Sequence, residues 1–372
     1  MAWMGWRRRL GLACAGLALF GLGAEPSPTV APLPERLSQT GLYADIAGDR
    51  ISAELLAFNP QYPLWSDGSL KRRWIRLPAG TRIDASDADA WRFPRGTVLW
   101  KEFSMGRRVE TRMVEHLADG RWRFSTYVWL PDGSDAELAP ADGIAALPVA
   151  DAPDGKYRIL AQADCRACHG SAPVPVLGFS ALQLSPDRDP LAANAQRPAP
   201  GEVDLLHLAE GRLVEGLDAS LLRRSPRIAA RTPIERAALG YLHGNCGHCH
   251  NANCAEPRLP LDLVLAQPAH APVDADAAVA TLLRTPLRYR RPGAEALVVP
   301  GDPTHSVLAL RLASTDPLSR MPPLGTTLAD PAGVMLVEQW LRELPPLADA
   351  SAATPSSSRP SSRTVTIQGA RP

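Results

Sequence analysis

Two copies of one five-residue pattern, Cys165-Arg-Ala-Cys168-His169 and Cys246-Gly-His-Cys249-His250, constrain this chain more than any other feature. Both read C-x-x-C-H, the attachment signature of a c-type haem. The spacing has a chemical reason. Each thiol forms a carbon–sulfur bond to one of the two haem vinyl groups, while the adjacent imidazole swings beneath the ring and ligates iron. A chain of 372 residues with six cysteines and eight histidines would carry one such match by chance only ~0.002 times. The competing readings are a structural zinc site, a disulfide redox pair, or an iron–sulfur site using Cys246, Cys249 and Cys254. Zinc would want four ligands from paired knuckles, and 78 positions separate Cys168 from Cys246. A redox C-x-x-C has no need of a histidine beside it in both copies. Two covalently bound c-type haems are therefore expected, with Cys165, Cys168 and His169 holding one and Cys246, Cys249 and His250 the other. Cys254 reads as a small buried residue.

The N-terminus agrees with a haem attached outside the cytoplasm. Arg7, Arg8 and Arg9 precede an apolar run, Leu10 to Leu22, too short to span a bilayer, followed by Gly-Leu-Gly-Ala-Glu-Pro. This reads as a secretory signal over 1–23, which would remove Cys14; an uncleaved N-terminal anchor is the alternative. Cleavage would leave 37 basic and 39 acidic residues. Residues 346–372 are rich in Ser, Pro, Ala and Arg without an apolar face, and read as a disordered tail.

Between these ends the chain is long enough for two or three domains. An apolar fraction of 45% with 21% charged residues excludes wholesale disorder and a multi-span membrane protein. A net charge of +1 leaves no footprint for nucleic acid. Thirty-seven prolines argue for many short elements with stiff connections. Trp122, Phe124, Thr126 and Val128 alternate with Arg123, Ser125 and Tyr127, the period of a half-buried strand, and residues 108–116 pair with it across Ala118-Asp119-Gly120. Lys71–Leu77, Thr81–Asp84 and Thr97–Phe103 add further strands. Beyond Leu160 the pattern becomes helical. Thr232-Pro233-Ile234-Glu235 is a capping box opening a helix toward Cys246, and Asp330-Pro331 opens another with Val334, Leu336, Val337, Trp340 and Leu341 on its apolar stripe and Met335 in its core. The expected fold is α+β: a linker at 24–40, an antiparallel β-rich domain at 41–160, and two small, mainly α, cytochrome c-like haem domains at 161–230 and 231–345.

A cytochrome haem commonly takes methionine as its second axial ligand. After the signal only Met105, Met113, Met321 and Met335 remain, and Met321 lies in the rigid loop Ser319-Arg320-Met321-Pro322-Pro323-Leu324-Gly325 before the closing helix. It is expected opposite His250, so the metal ligands are His169, His250 and Met321. The first haem has no methionine between His169 and His250. His207, Met113, His116 and Met105 are weaker candidates, and His243 and His248 line the second pocket. Lysine occurs only at 71, 101 and 156, and some of the many arginines are suited to pair with haem propionates.

The segments Leu37-Ser-Gln-Thr-Gly-Leu-Tyr43, Tyr62-Pro-Leu-Trp-Ser-Asp-Gly68, Phe93-Pro-Arg-Gly-Thr97, Val109-Glu-Thr-Arg112, Tyr127-Val-Trp129, Leu177-Gly-Phe179 and Tyr241-Leu-His-Gly-Asn-Cys246 resemble those of a bacterial family of exported dihaem c-type cytochromes with a β-rich N-terminal region and no established reaction. The resemblance covers roughly 36–345 and implies a periplasmic haem protein. The expected function is single-electron transfer between periplasmic redox partners, a redox protein or a membrane respiratory component, with no transmembrane span in the mature chain. Two alternatives stay open. One is a dihaem peroxidase or other haem oxidoreductase with an open first haem, for which Glu110, Glu115 or His116 would supply acid or base. The other is a docking subunit of a larger redox complex.

Overall fold

The computed structural model describes residues 31–252, 265–269, 277–287, 289, 292–294 and 296–345; the expected leader, the expected tail, Cys14 and Cys254 lie outside them. The architecture is mixed α+β. In chain order the strands are β1 (Tyr43–Asp45), β2 (Arg50–Ile51), β3 (Leu56–Ala57), β4 (Leu70–Arg76), β5 (Ile83–Asp84), β6 (Val98–Met105), β7 (Arg107–His116), β8 (Trp122–Trp129), β9 (Ala136–Leu138), β10 (Ile144–Pro148), β11 (Lys156–Ile159) and β12 (Val214–Glu215). The described helices are α1 (Gln162–His169), α2 (Leu205–Glu210), α3 (Ala219–Arg223), α4 (Pro233–Asn245), α5 (Ala277–Arg284), α6 (Val307–Leu312) and α7 (Pro331–Glu343).

Six strands form one antiparallel sheet in the order β3-β4-β6-β7-β8-β9. Because side chains alternate across a strand, the register assigns each residue to a face. Trp74, Trp100 and Met113 lie opposite one another and, with Tyr127 and Trp129, pack under Leu37, Leu42 and Tyr43. The other face carries Ile75, Leu99, Val114 and Phe124 in one row and Arg73, Lys101, Arg112 and Thr126 in the next. Ile75, Leu99 and Val114 of the apolar row join a core with Phe58, Trp91, Phe93, Phe179, Leu184, Leu205 and Leu208. β5 does not enter the large sheet; it pairs in parallel with β12, Ile83 opposite Val214. Strand and core contacts therefore cross the boundary expected at 160, and Tyr62 and Leu182 likewise belong to the core built by α4, α6 and α7.

The helix signals act much as their chemistry dictates. The Thr232 hydroxyl accepts from the Glu235 N–H at 3.1 Å, capping α4. The Glu235 carboxylate turns back one residue further than a capping box requires, accepting from the Arg231 N–H at 2.9 Å, and it also takes the Trp340 indole N–H at 3.1 Å. That second bond pins α7 against α4. Asp330 caps α7. Met335 is not in its core: it is 66% exposed, because the buried stripe Leu336, Val337, Trp340 and Leu341 points the opposite way around the helix. No described helix is long and apolar enough to cross a membrane.

Glycine permits the closest packing of α4. A Cβ on Gly240 would overlap the Tyr62 ring, and one on Gly244 would press on the Tyr62 carbonyl. Both atoms belong to a loop whose ring hydroxyl donates to Asp189 at 3.1 Å. Gly240→Ala is expected to destabilise the protein by about 1–3 kcal/mol through overpacking, read as a lower urea midpoint with an unchanged slope.

Candidate functional site

α1 carries the first motif. The Ala161 N–H donates to the Asp164 carboxylate at 3.1 Å, fixing the first turn. Cys165, Cys168 and His169 then fall at i, i+3 and i+4, on one side of the helix. α1 packs on β8, where the Phe124 ring lies 5.0 Å from the His169 ring, centroid to centroid. His169 Nδ1 is 2.5 Å from the Pro175 carbonyl oxygen. A carbonyl only accepts, so Nδ1 carries the proton and Nε2 keeps its lone pair. Burial pushes the His169 pKa down to about 4, so the ring is neutral at pH 7. A neutral imidazole with its tautomer set by a backbone carbonyl is the form that binds a metal.

The second motif begins where α4 ends, at Cys246. The N–H groups of Cys249 and His250 both donate to the Cys246 carbonyl, at 3.0 and 2.8 Å, winding the motif into a tight turn. Burial pushes the Cys246 thiol up to about 12 and the His250 imidazole down to about 4. His250 Nδ1 is buried and has no hydrogen-bond partner among the described residues. His243, one turn earlier, accepts the Gln267 N–H on Nδ1 at 3.0 Å and is likewise held neutral by burial, with a pKa of about 4.

The two motifs meet. Ligand atoms of Cys168, His248 and Cys249 all lie within 4.8 Å of one another. Hydrogen bonding from Cys249, followed by that from His248, holds the Cys168 thiol well below the ordinary cysteine range. The Asn251 side-chain amide donates to the Ser171 carbonyl at 3.0 Å and to the Gly247 and His248 carbonyls at 3.1 Å each, joining the segments that follow the two motifs.

These residues fit two thioether-linked haems in the chemistry of their donors. Cys165, Cys168, Cys246 and Cys249 carry no disulfide, His169 presents a free Nε2, and His250 has a buried ring nitrogen that no described residue satisfies. Met321 sits half-buried in the loop between α6 and α7, its N–H donating to the Arg311 carbonyl at 3.0 Å. Arg311 lies near enough to His250 for its charge to help hold that imidazole neutral, and it stacks on Tyr289 at 4.6 Å.

The other candidates are engaged elsewhere. His207 is exposed and bonded to Asp204 at 2.7 Å. Met113 packs on the sheet face away from α1, and Met105 packs with Tyr157 and Ile159. His116 stacks on Trp122 at 4.4 Å and bonds the Phe93 carbonyl at 3.0 Å. Glu115 pairs with Arg123, while Glu110, fully buried, pairs with Arg112 and accepts the Tyr157 hydroxyl at 2.8 Å. Sequence reasoning missed Phe124 and Pro175, which fix the His169 ring, and the cations of β4 and β6 on the same face. Their signal was inward-pointing charge, hidden in the run Lys71-Arg72-Arg73.

His243 gives a pH test. Folded it titrates near 4, and unfolded near 6.5, so the unfolded chain binds more protons between those values and stability falls as pH drops from about 6.5 to 4. In His243→Asn, whose side-chain oxygen still accepts from Gln267, the urea midpoint should fall less between pH 7 and pH 5 than in the wild type. Compared with known protein families, with curated proteins and with solved structures, the chain matches none.

Proposed function

We propose that this protein is an exported dihaem c-type cytochrome that passes single electrons between periplasmic redox partners. The observation that carries the reading is the meeting of two C-x-x-C-H motifs from distant parts of the sequence, with Cys168 and Cys249 in one group of ligand atoms within 4.8 Å. Cysteines so placed would hold the attachment edges of two haems side by side, which favours a short relay. Each haem supplies an iron that takes up and releases one electron. The chain does the rest. Cys165 and Cys168 anchor one group and Cys246 and Cys249 the other. The Pro175 carbonyl orients His169, and Phe124 backs its ring. α4 leads into Cys246, α7 packs on α4, and Met321, in the loop between α6 and α7, would serve with His250 as a ligand of the iron held by the second motif. On this reading the segments 161–230 and 231–345 are the two haem-bearing regions, and residues 1–23 direct export.

Intact-mass measurement on protein matured in a host competent for cytochrome c assembly should show two haem additions. Cys168→Ala and Cys249→Ala should each weaken covalent retention of one haem, and Met321→Ala should abolish the methionine–iron charge-transfer band. A bare polypeptide mass would overturn the proposal.

One observation favours a second reading. Cys168, His248 and Cys249 are three soft donors already gathered, suited to a zinc ion that would need one more ligand. His248→Ala separates the two: it leaves both haem masses in place if the protein is a cytochrome, and abolishes a stoichiometric zinc if it is not.

A further inference from the structure

The face of the large sheet that receives α1 carries positive charge where a sheet core is ordinarily apolar. Arg73, Lys101 and Arg112 stand opposite one another on β4, β6 and β7, and Lys71 lies on the same face two residues from Arg73. Three of these cations converge on one buried ring: the Phe103 centroid lies 5.7 Å from Lys71 Nζ, 4.9 Å from Lys101 Nζ and 4.4 Å from the Arg112 guanidinium carbon. Cation–π attraction of this kind offsets only part of the cost of burying charge.

The carboxylates nearby do not engage the cluster fully: Glu202 acts on Arg73, and Asp67 and Asp330 act on Lys71, through charge alone, with no ion pair or hydrogen bond to them among the described residues. Glu110 pairs with Arg112, and its other oxygen and Arg112 Nε are both buried without a hydrogen-bond partner. Arg73 is 6% exposed, and among the described residues its guanidinium has no ion pair or hydrogen bond. Lys101 has neither, and Lys71 has only the Ser69 carbonyl at 3.0 Å. Burial, then the neighbouring arginines, push Lys71 down to about 7; burial with Arg73, Lys71 and Arg112 drives Lys101 well below the ordinary lysine range. The Arg73 and Lys101 nitrogens are not sealed off, so this cationic face keeps a polar opening through which an anion can reach unengaged donors. The position is also specific. α1 covers this face through the Phe124–His169 contact, and the charges of Arg112 and Glu110 reach Cys165 while that of Lys101 reaches His169.

We propose that Lys71, Arg73, Lys101 and Arg112 form a binding site for carboxylate groups on the sheet face beside the first C-x-x-C-H motif. Guanidinium forks take carboxylates in pairs of parallel hydrogen bonds, and the two amines add point charges from either side. The carboxylate has two sources. It is either a propionate of the haem held by Cys165, Cys168 and His169, in which case the site rests on the functional reading above, or a small free carboxylate that enters from solvent.

The test uses the mature protein, with Arg73→Gln, Lys101→Met and the charge-preserving Arg73→Lys, and with Arg342→Gln on the exposed face of α7 as a control. Acetate binding is followed by calorimetry and both haem midpoints by redox titration. If the ligand is free, the wild type binds acetate, Arg73→Gln and Lys101→Met weaken it at least tenfold, and Arg73→Lys recovers most of the loss. If the ligand is a propionate, the wild type does not bind acetate, but one of the two midpoints falls in Arg73→Gln and Lys101→Met and stays put in Arg342→Gln, because the lost cations favoured the reduced centre. Should Arg73→Gln fail to fold, Lys101→Met and Arg73→Lys carry both measurements. No acetate binding together with unmoved midpoints overturns the site. Should the protein carry no haem, the acetate titration alone decides, so failure of the functional reading and failure of the site are told apart.

Discussion

The packing of Tyr62 against α4 is the constraint on which the arrangement of the two motifs depends. The ring rests on Gly240 and the carbonyl on Gly244, one turn apart on the same helix face, while the Tyr62 N–H donates to the Gln183 side chain at 3.0 Å. The helix therefore meets Tyr62 with no side chain of its own in the contact, and its axial rotation is fixed there. Asn245 extends the seam, accepting the Trp65 N–H at 2.8 Å and donating to the Tyr241 carbonyl at 3.0 Å. Cys246 follows directly. The same loop leads into β4, so the strand that bears Lys71 and Arg73 and the helix that delivers Cys246 are set by one piece of chain.

The sheet divides the labour of its two faces by register. One face is closed by Leu37, Leu42 and Tyr43 and is occupied by tryptophans and by Met113. Where charge enters that face it is neutralised locally: the Tyr43 hydroxyl donates to the buried Glu102 at 2.7 Å, and Arg72 bridges Glu102 and Asp49, both at 2.9 Å. The opposite face has a comparable number of charges and far fewer partners for them. That asymmetry coincides with the side on which α1 lies, which is why the unpaired cations point to a ligand and not to a structural network.

Much of this was legible in the sequence, because the signals were local. Alternation placed β8, the Ala118-Asp119-Gly120 turn paired it with β7, and Thr232 and Asp330 marked the helix starts within a residue. The C-x-x-C-H spacings named the candidate cysteines and histidines. What could not be read was which distant segments share a core. Ile83 opposite Val214, Tyr62 beneath Gly240 and Cys168 beside Cys249 are long-range pairings that no periodicity announces. Met335 was misplaced because a helix with Val334, Leu336 and Val337 around it has apolar residues on more than one side, and only packing chooses among them. His207 sits on a short helix whose core-facing positions are Leu205 and Leu208, leaving the imidazole to its cap residue Asp204.

The loop bearing Met321 is tied down on both sides. At its start the Met321 N–H is held by the Arg311 carbonyl; at its end the Asp67 carboxylate accepts from the Thr327 N–H, the Thr327 hydroxyl and the Leu328 N–H, all between 2.8 and 2.9 Å. Only the run Pro322-Pro323-Leu324-Gly325-Thr326 spans the two moorings, and the prolines fix φ at two of its positions. A tether that short has few shapes to sample. Its configurational freedom has already been surrendered when the chain folds, so whatever the thioether goes on to grip, little ordering remains to oppose it.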